Sequence, residues 1–151
     1  MTGLDAGLVA SMQGTPTVGT LDPAFALLTV DEEGSVDVCL LSRTELRASE
    51  RSLGIVVASS KARRNLRSRG RATLLAVVDN VAHYLTLLVE QMIEEEGAMA
   101  VRMTPLRHLR DDLGIELHPI LFRVDERLEV MERWERTGWL FQRLDEEGSQ
   151  A

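Results

Sequence analysis

Residues 54–71 read GIVVASSKARRNLRSRGR, and the parsing of this stretch decides the rest of the chain. Its first five residues are apolar and largely β-branched behind a glycine, the pattern of a short buried strand. Ser59 and Ser60 then offer hydroxyls for a helix N-cap. Residues 61–69 favour helix, with Ala62 and Leu66 four apart on one face, and Gly70 stands where a left-handed C-cap belongs. The start of such a helix presents unpaired N–H groups and a partial positive charge. Two serine hydroxyls and Lys61, the chain's only lysine, make it a plausible phosphate cradle. The plainer alternative is a capped helix whose Arg63, Arg64, Arg67 and Arg69 form a solvated face.

Working outward, residues 25–30 (FALLTV) and 36–41 (VDVCLL) read as two strands of a hairpin about the turn at 31–34, with Gly34 suited to a positive φ. Thr44 reads as an N-cap for a short helix or turn over 45–52. After the central helix, residues 72–78 and 83–90 form a second hairpin around Asp79-Asn80. Its sequence, ATLLAVVDNVAHYLTLLVE, lacks the alternation of a sheet with one wet face, so both faces call for cover. One face suits a barrel interior. The other suits a second protomer, with helical packing as the competing solution. Residues 98–103 alternate weakly as a strand, 104–113 fit either a helix or a bulged strand, and 120–124 form a last strand. From 126 to 144 the spacing turns helical, with Gly138 placed to weaken or break the helix, and 145–151 read as a polar, fraying tail. Residues 1–22 read as a short helix over 4–13 and a Gly/Thr/Pro-rich linker. The whole, 1–151, is expected to be one domain: mainly β with flanking helices, about six antiparallel strands in a small barrel.

Composition narrows the function. The net charge of −7 and 4% aromatic content oppose a nucleic-acid-binding role, so the basic cluster at 61–71 is local. No segment reads as a membrane span or a signal peptide, so no membrane partner and a cytoplasmic location are expected. The single cysteine, Cys39, lies in an apolar strand pattern and reads as an inert thiol. His83, His108 and His118 show no ligand spacing, and the acidic runs fall in turns, so no metal site is expected. Nucleophile elbows, Walker loops and dinucleotide fingerprints are missing.

The order of these pieces resembles a known family. Phe25 to Gly34 (FALLTVDEEG), Val38 to Ser42 (VCLLS), Val57 to Leu66 (VASSKARRNL) and Gly70 to Val78 (GRATLLAVV) are similar, in order and spacing, to the pyridoxamine 5′-phosphate oxidase-like, FMN-binding split β-barrel family. The similarity covers roughly residues 23–124. It implies a homodimer with flavin mononucleotide at the subunit interface. By the same resemblance Ser59, Ser60 and Lys61 would hold the flavin phosphate, with Arg64 and Asn65 assisting. Leu41 and Ser42 would run beside the ring, Val57 and Ala58 would feed the phosphate turn, and Tyr84 would reach the cofactor from the partner. The flavin would carry two-electron transfer to an unidentified small molecule, so no catalytic residue is implied. Asp37 stands where the family often has a basic residue, Glu90 where it usually has glycine, and the C-terminal 145–147 is acidic. Pyridoxamine phosphate oxidase activity itself is therefore not expected. The alternative is a non-catalytic binding or sensing protein holding flavin, deazaflavin or haem, or no cofactor.

Overall fold

The structure, a computed structural model, describes residues 3–150; Met1, Thr2 and Ala151, the ends of the expected single domain, lie outside the described residues. Eight strands, rather than about six, form one antiparallel sheet in the order β2-β1-β5-β6-β7-β4-β3, with β8 also paired to β1. The strands are β1 (Leu21–Val30), β2 (Val36–Leu41), β3 (Leu46–Ala48), β4 (Leu53–Val57), β5 (Arg71–Val78), β6 (Val81–Glu95), β7 (Ala98–Asp111) and β8 (Ile120–Arg123). The helices are α1 (Ala6–Ser11), α2 (Ser60–Arg69), α3 (Leu128–Met131) and α4 (Trp134–Gln150). No helix among the described residues is long and apolar enough to cross a membrane.

The central stretch folds as read. All five residues of β4 are buried, Ser59 caps α2, and Gly70 closes it at φ 65°. Asp79 and Asn80, at φ 50° and 67°, make the tight turn between β5 and β6, with both central residues left-handed as a two-residue hairpin demands. Elsewhere the boundaries move. Residues 104–111 are strand, because β7 continues its pairing with β6 past Pro105 as far as Asp111. The expected helix or turn at 45–52 is a 3-10 turn, Arg43–Glu45, followed by β3; its cap is Ser42 rather than Thr44, in a capping box with Glu45. Gly138 does not break the last helix. The break falls at Glu132-Arg133, where Arg133 takes φ 49°, and α4 then runs on through the expected fraying tail.

The inner faces of the strands enclose a core of Phe25, Leu27, Ile55, Leu66, Leu74, Leu85, Leu87, Met99 and Met103, closed at one end by α1 through Leu4, Leu8 and Met12. Outside, α4 lays Leu140, Phe141 and Leu144 on Val56, Ile93, Ala98 and Ala100. Burying each of those large side chains contributes about 1.5–3 kcal/mol. Gly54 lets this helix lie close: a Cβ there would stand 3.0 Å from Cε1 of Phe141, and the ring would have to give by a few tenths of an ångström.

The elbow between α3 and α4 is fastened by a pair of carboxyl groups. One Glu132 oxygen, Oε1, accepts from Ser42 Oγ (2.9 Å), Thr44 Oγ1 (2.9 Å) and Trp134 Nε1 (2.8 Å). Glu45 lies against it, its Oε1 accepting the Ser42 amide at 3.1 Å. Burial, then the negative charge of Glu132, push the Glu45 carboxyl up to about 8, so it stays protonated at neutral pH. A carboxyl whose pKa rises on folding lends stability that is complete below its ordinary value of 4.5 and is lost as pH climbs through about 8. Thermal melts between about pH 5 and 9 are expected to show wild-type stability falling over this window, with a flatter profile for Glu45→Gln. Equal slopes for the two proteins would show that protonation of Glu45 does not hold the elbow.

Candidate functional site

β2 is an edge strand, and α2 starts beside it. Between them opens a cleft of about 100 Å³ lined by Thr29, Asp37, Val38, Cys39, Ser59, Lys61 and Ala62. Ser59 Oγ accepts the Ala62 amide at 3.2 Å, and the Ser59 carbonyl accepts the Arg63 amide at 3.0 Å. The amides of Ser60 and Lys61 are left without an intrahelical acceptor, as at any helix start. Lys61 is exposed at the cleft and enters no ion pair among the described residues.

Asp37 is the counterweight. Its Oδ2 accepts from Nδ2 of Asn65 at 2.9 Å, and Nη2 of Arg64 lies 3.9 Å away. Asn65 is 1% exposed and also donates to Thr29 Oγ1 at 3.0 Å, while its own Oδ1 is buried without a partner. Asn65 therefore ties α2 to the β1–β2 hairpin, and Arg64 leans toward the same carboxylate. The other arginines are engaged elsewhere. Arg63 and Arg67 both bind Glu94, at 2.8 and 2.7 Å. Partial burial raises the Glu94 pKa, but hydrogen bonds from Arg67 and Arg63 outweigh it and leave the group below its ordinary value. Arg69 donates from Nε to the Asp31 carbonyl at 3.0 Å.

The residues singled out in the sequence thus fall into three places. Ser59 and Lys61, with Ala62, form the cleft's helical wall; Ser60 lies between them without lining it, and Arg64 and Asn65 follow one turn on. Val57 is buried in the core, and Ala58 is the exposed link from β4 to α2. Leu41 is also core, and Ser42 belongs to the Glu45–Glu132 elbow. Asp37 and Ser42, just past the end of β2, are five residue steps apart, roughly 17 Å at strand rise. Tyr84 stands on the outer face three strands from β2, its hydroxyl 3.4 Å from Asp111 Oδ2. Within one protomer these groups do not converge.

The outer face carries a feature that sequence reading anticipated only in part. Cross-strand neighbours Leu40, Ala26, Leu75, Tyr84 and Leu109 form one row over β2, β1, β5, β6 and β7. Val36, Val38 and Leu40 of β2 are 56, 59 and 54% exposed. Helix α4 covers β4, β7 and the far end of β6, so helical packing solves part of the two-faced sheet and leaves the β2–β1–β5 side open. The thiol of Cys39, facing the other way into the cleft, is pushed up to about 11 by burial and the Glu45 charge, so it is no nucleophile at neutral pH.

No family model and no curated protein matches this chain. Solved structures do match it in fold. An FMN-binding protein from Syntrophomonas wolfei aligns at TM-score 0.50 and 14% identity over 59% of this chain and 77% of that one. The flavin reductase of styrene monooxygenase from Pseudomonas putida S12 aligns at 0.51 and 9% identity, over 62% and 82%. A pyridoxinephosphate oxidase-family protein from Clostridium acetobutylicum, related to general stress protein 26, aligns at 0.50 and 14%, over 70% and 88%. The fold is the pyridoxamine 5′-phosphate oxidase-like split β-barrel.

Removing the tie between α2 and the hairpin separates its structural role from any ligand. Asn65→Ala leaves Asp37 and Thr29 without their buried donor and is expected to cost about 1–3 kcal/mol of stability in urea unfolding. An unchanged midpoint would show that Asp37 is satisfied by other means.

Proposed function

We propose that this chain is a homodimeric split-barrel protein that binds flavin mononucleotide or a related anionic flavin or deazaflavin, and that it serves two-electron transfer to a small molecule in the cytoplasm. The supporting observation lies at the β2 edge: the start of α2, with Lys61 in no ion pair among the described residues, lines a cleft together with Val38, and Leu40 continues that exposed apolar strip on the outer face of the same strand. One anionic group and one flat apolar ring ask for these two neighbours together. The fold neighbours named for FMN binding and flavin reduction agree with this reading.

The residues fit the phosphate end of such a cofactor. Lys61 would neutralise it, and the Ser60 and Lys61 amides would donate to it. Arg64 would turn from Asp37, whose carboxylate limits how much negative charge the cleft accepts. The open outer row would receive a second copy of the chain, which would bring its Tyr84 within the reach of a cofactor that one protomer alone cannot offer. A flavin, when bound, supplies the electron chemistry. The chain's own residues orient it and keep water from the buried face. A second reading, a binding or sensing protein without turnover, is favoured by Asp37 alone, because a carboxylate in the cleft weakens retention of an anion.

Purified protein mixed with flavin mononucleotide and freed of excess is expected to keep the flavin absorption bands. Lys61→Ala should lose about 1.5–3 kcal/mol of affinity, the worth of a charged hydrogen bond. A protein that keeps no flavin sinks the proposal, and unchanged affinity in the variant removes Lys61 from the site. For the dimer, Leu40→Asp, placed on the exposed face, is expected to give monomers in analytical ultracentrifugation with an unchanged far-UV spectrum. A variant that remains dimeric would place the interface elsewhere.

A further inference from the structure

Helix α4 has a gap in one of its ridges. Trp134, Gly138 and Phe141 follow one another at i, i+4 and i+7, so they share one face of the helix. The two aromatic positions are about 10.5 Å apart along the axis, and Gly138 places no side chain between them. Glycine is among the poorest residues for a helix interior. No contact demands it here, since a Cβ on Gly138 would meet no neighbouring atom within 4 Å. What the missing side chain does is hold a cavity open.

That cavity, of about 260 Å³, lies between α4, β3 and the segment after α1. Trp134, Gly138 and Phe141 form one wall, Thr44, Leu46 and Arg47 a second, and residues 13–15 the rim. The rim is pinned to β3, because the Ala48 amide donates to the Met12 carbonyl at 3.1 Å. Both aromatic rings are held as well. Trp134 donates from Nε1 to Glu132 Oε1 at 2.8 Å, and Phe141 rests on Gly54. The Arg47 guanidinium lies 4.5 Å over the centre of the Phe141 ring. Walls fixed in advance spare a ligand the cost of ordering them.

The two ends of the cavity differ in charge. At the Phe141 end, Arg47 and Arg102 share the Asp145 carboxylate, at 3.1 and 3.2 Å, so two guanidiniums answer to one anion. At the Trp134 end, Thr44 Oγ1 donates to Glu132 Oε1 at 2.9 Å and has a lone pair left to offer. The Glu132 charge behind it favours a donor there over a second anion. No carboxylate of the described residues lines the cavity itself. A flat ring seated between two others needs about 7–8 Å, twice a carbon contact, which the gap over Gly138 provides. The volume falls below the roughly 300–1,000 Å³ of sites for drug-sized ligands, so it suits one ring with short substituents.

We propose that this cavity binds a small aromatic carboxylate, its ring between Trp134 and Phe141 over Gly138 and its carboxylate on Arg47. The site is independent of any flavin, because it lies past the Ser42 end of β2, away from the α2 cleft. The test titrates the full-length protein with 4-hydroxybenzoate by isothermal calorimetry. One saturable site per chain at about 1 mM probe or below is the expected result. Two analogues should bind roughly tenfold more weakly or worse: 4-hydroxybenzyl alcohol, which lacks the charge, and cyclohexanecarboxylate, which lacks the flat ring. Gly138→Leu fills the gap with a better helix former, so its Tm should equal or exceed that of the wild type while binding falls roughly tenfold or more. Arg47→Gln should abolish the preference for 4-hydroxybenzoate over the alcohol. In Trp139→Phe, which leaves Trp134 as the chain's one indole, the probe should change the tryptophan emission. Where the Leu variant fails to fold, Arg47→Gln and the two analogues still decide. An absence of saturable heat, equal affinity for the uncharged alcohol, or full binding by a folded Gly138→Leu overturns the site and leaves Gly138 a plain weak point in the helix.

Discussion

A sheet that is apolar on both faces must be covered on both, and this chain has one long helix with which to do it. The inner face closes on itself and on α1. The outer face is divided: α4 takes the β4–β7 side through Leu140, Phe141 and Leu144, while Val36, Val38 and Leu40 remain open to solvent. Everything proposed about function follows from that division. A helix long enough to cover the whole sheet would have left no surface for a second copy and no apolar strip beside the start of α2.

The cleft at α2 is governed by competition between charges. Of the helix's cations, Arg63 and Arg67 are neutralised by Glu94, Arg64 leans on Asp37, and Lys61 is left available. A run of basic residues in sequence thus becomes, in space, an ammonium without an ion pair among the described residues and a set of ties between α2 and its neighbours. This distribution accounts for a basic helix within an acidic protein, since most of its charges are spent on ties inside the fold. It also makes Asp37 more than a departure from a family pattern, since its carboxylate is part of what fastens the helix in place.

Much of this was legible in the residues and some of it was not, for identifiable reasons. The strand, cap, helix and left-handed glycine of 54–70 are local signals, and they hold to within one residue, with the strand at 53–57 and the helix starting at Ser60. The hairpin turns at Gly34 and Asp79-Asn80 are local as well. The candidate site is legible only where it is contiguous: Ser59 and Lys61 line one cleft because both belong to the start of α2. Leu41, Ser42 and Tyr84 are placed by the sheet, and a single protomer scatters them. Ser42 carried a readable signal for its local role, the Ser-x-x-Glu spacing to Glu45, which marks a capping box. The partner of that box, Glu132, lies 90 residues on from Ser42 and gave no sign of itself.

Two β-bulges explain the least predictable features. On β6 the inward side is Leu85, Leu87 and Val89; an extra residue, Glu90, reverses the phase, so that Met92 turns inward and Ile93 outward to meet α4. On β7 the register passes from Leu87↔Pro105 to Thr86↔Arg107, and Leu106 is the unpaired residue. Two consecutive side chains, Leu106 and Arg107, are then exposed, and His108 is turned to the inner face beside His83. Without that single residue the alternation would send His108 to the outside and the two imidazoles would never meet. A period-2 pattern interrupted twice cannot be read as a strand of 14 or 15 residues, which is why 104–113 looked ambiguous and why the histidine pair had no signature. The helix that covers part of the sheet and the pair of imidazoles at its far end both depend on where one strand gains a residue over its neighbour.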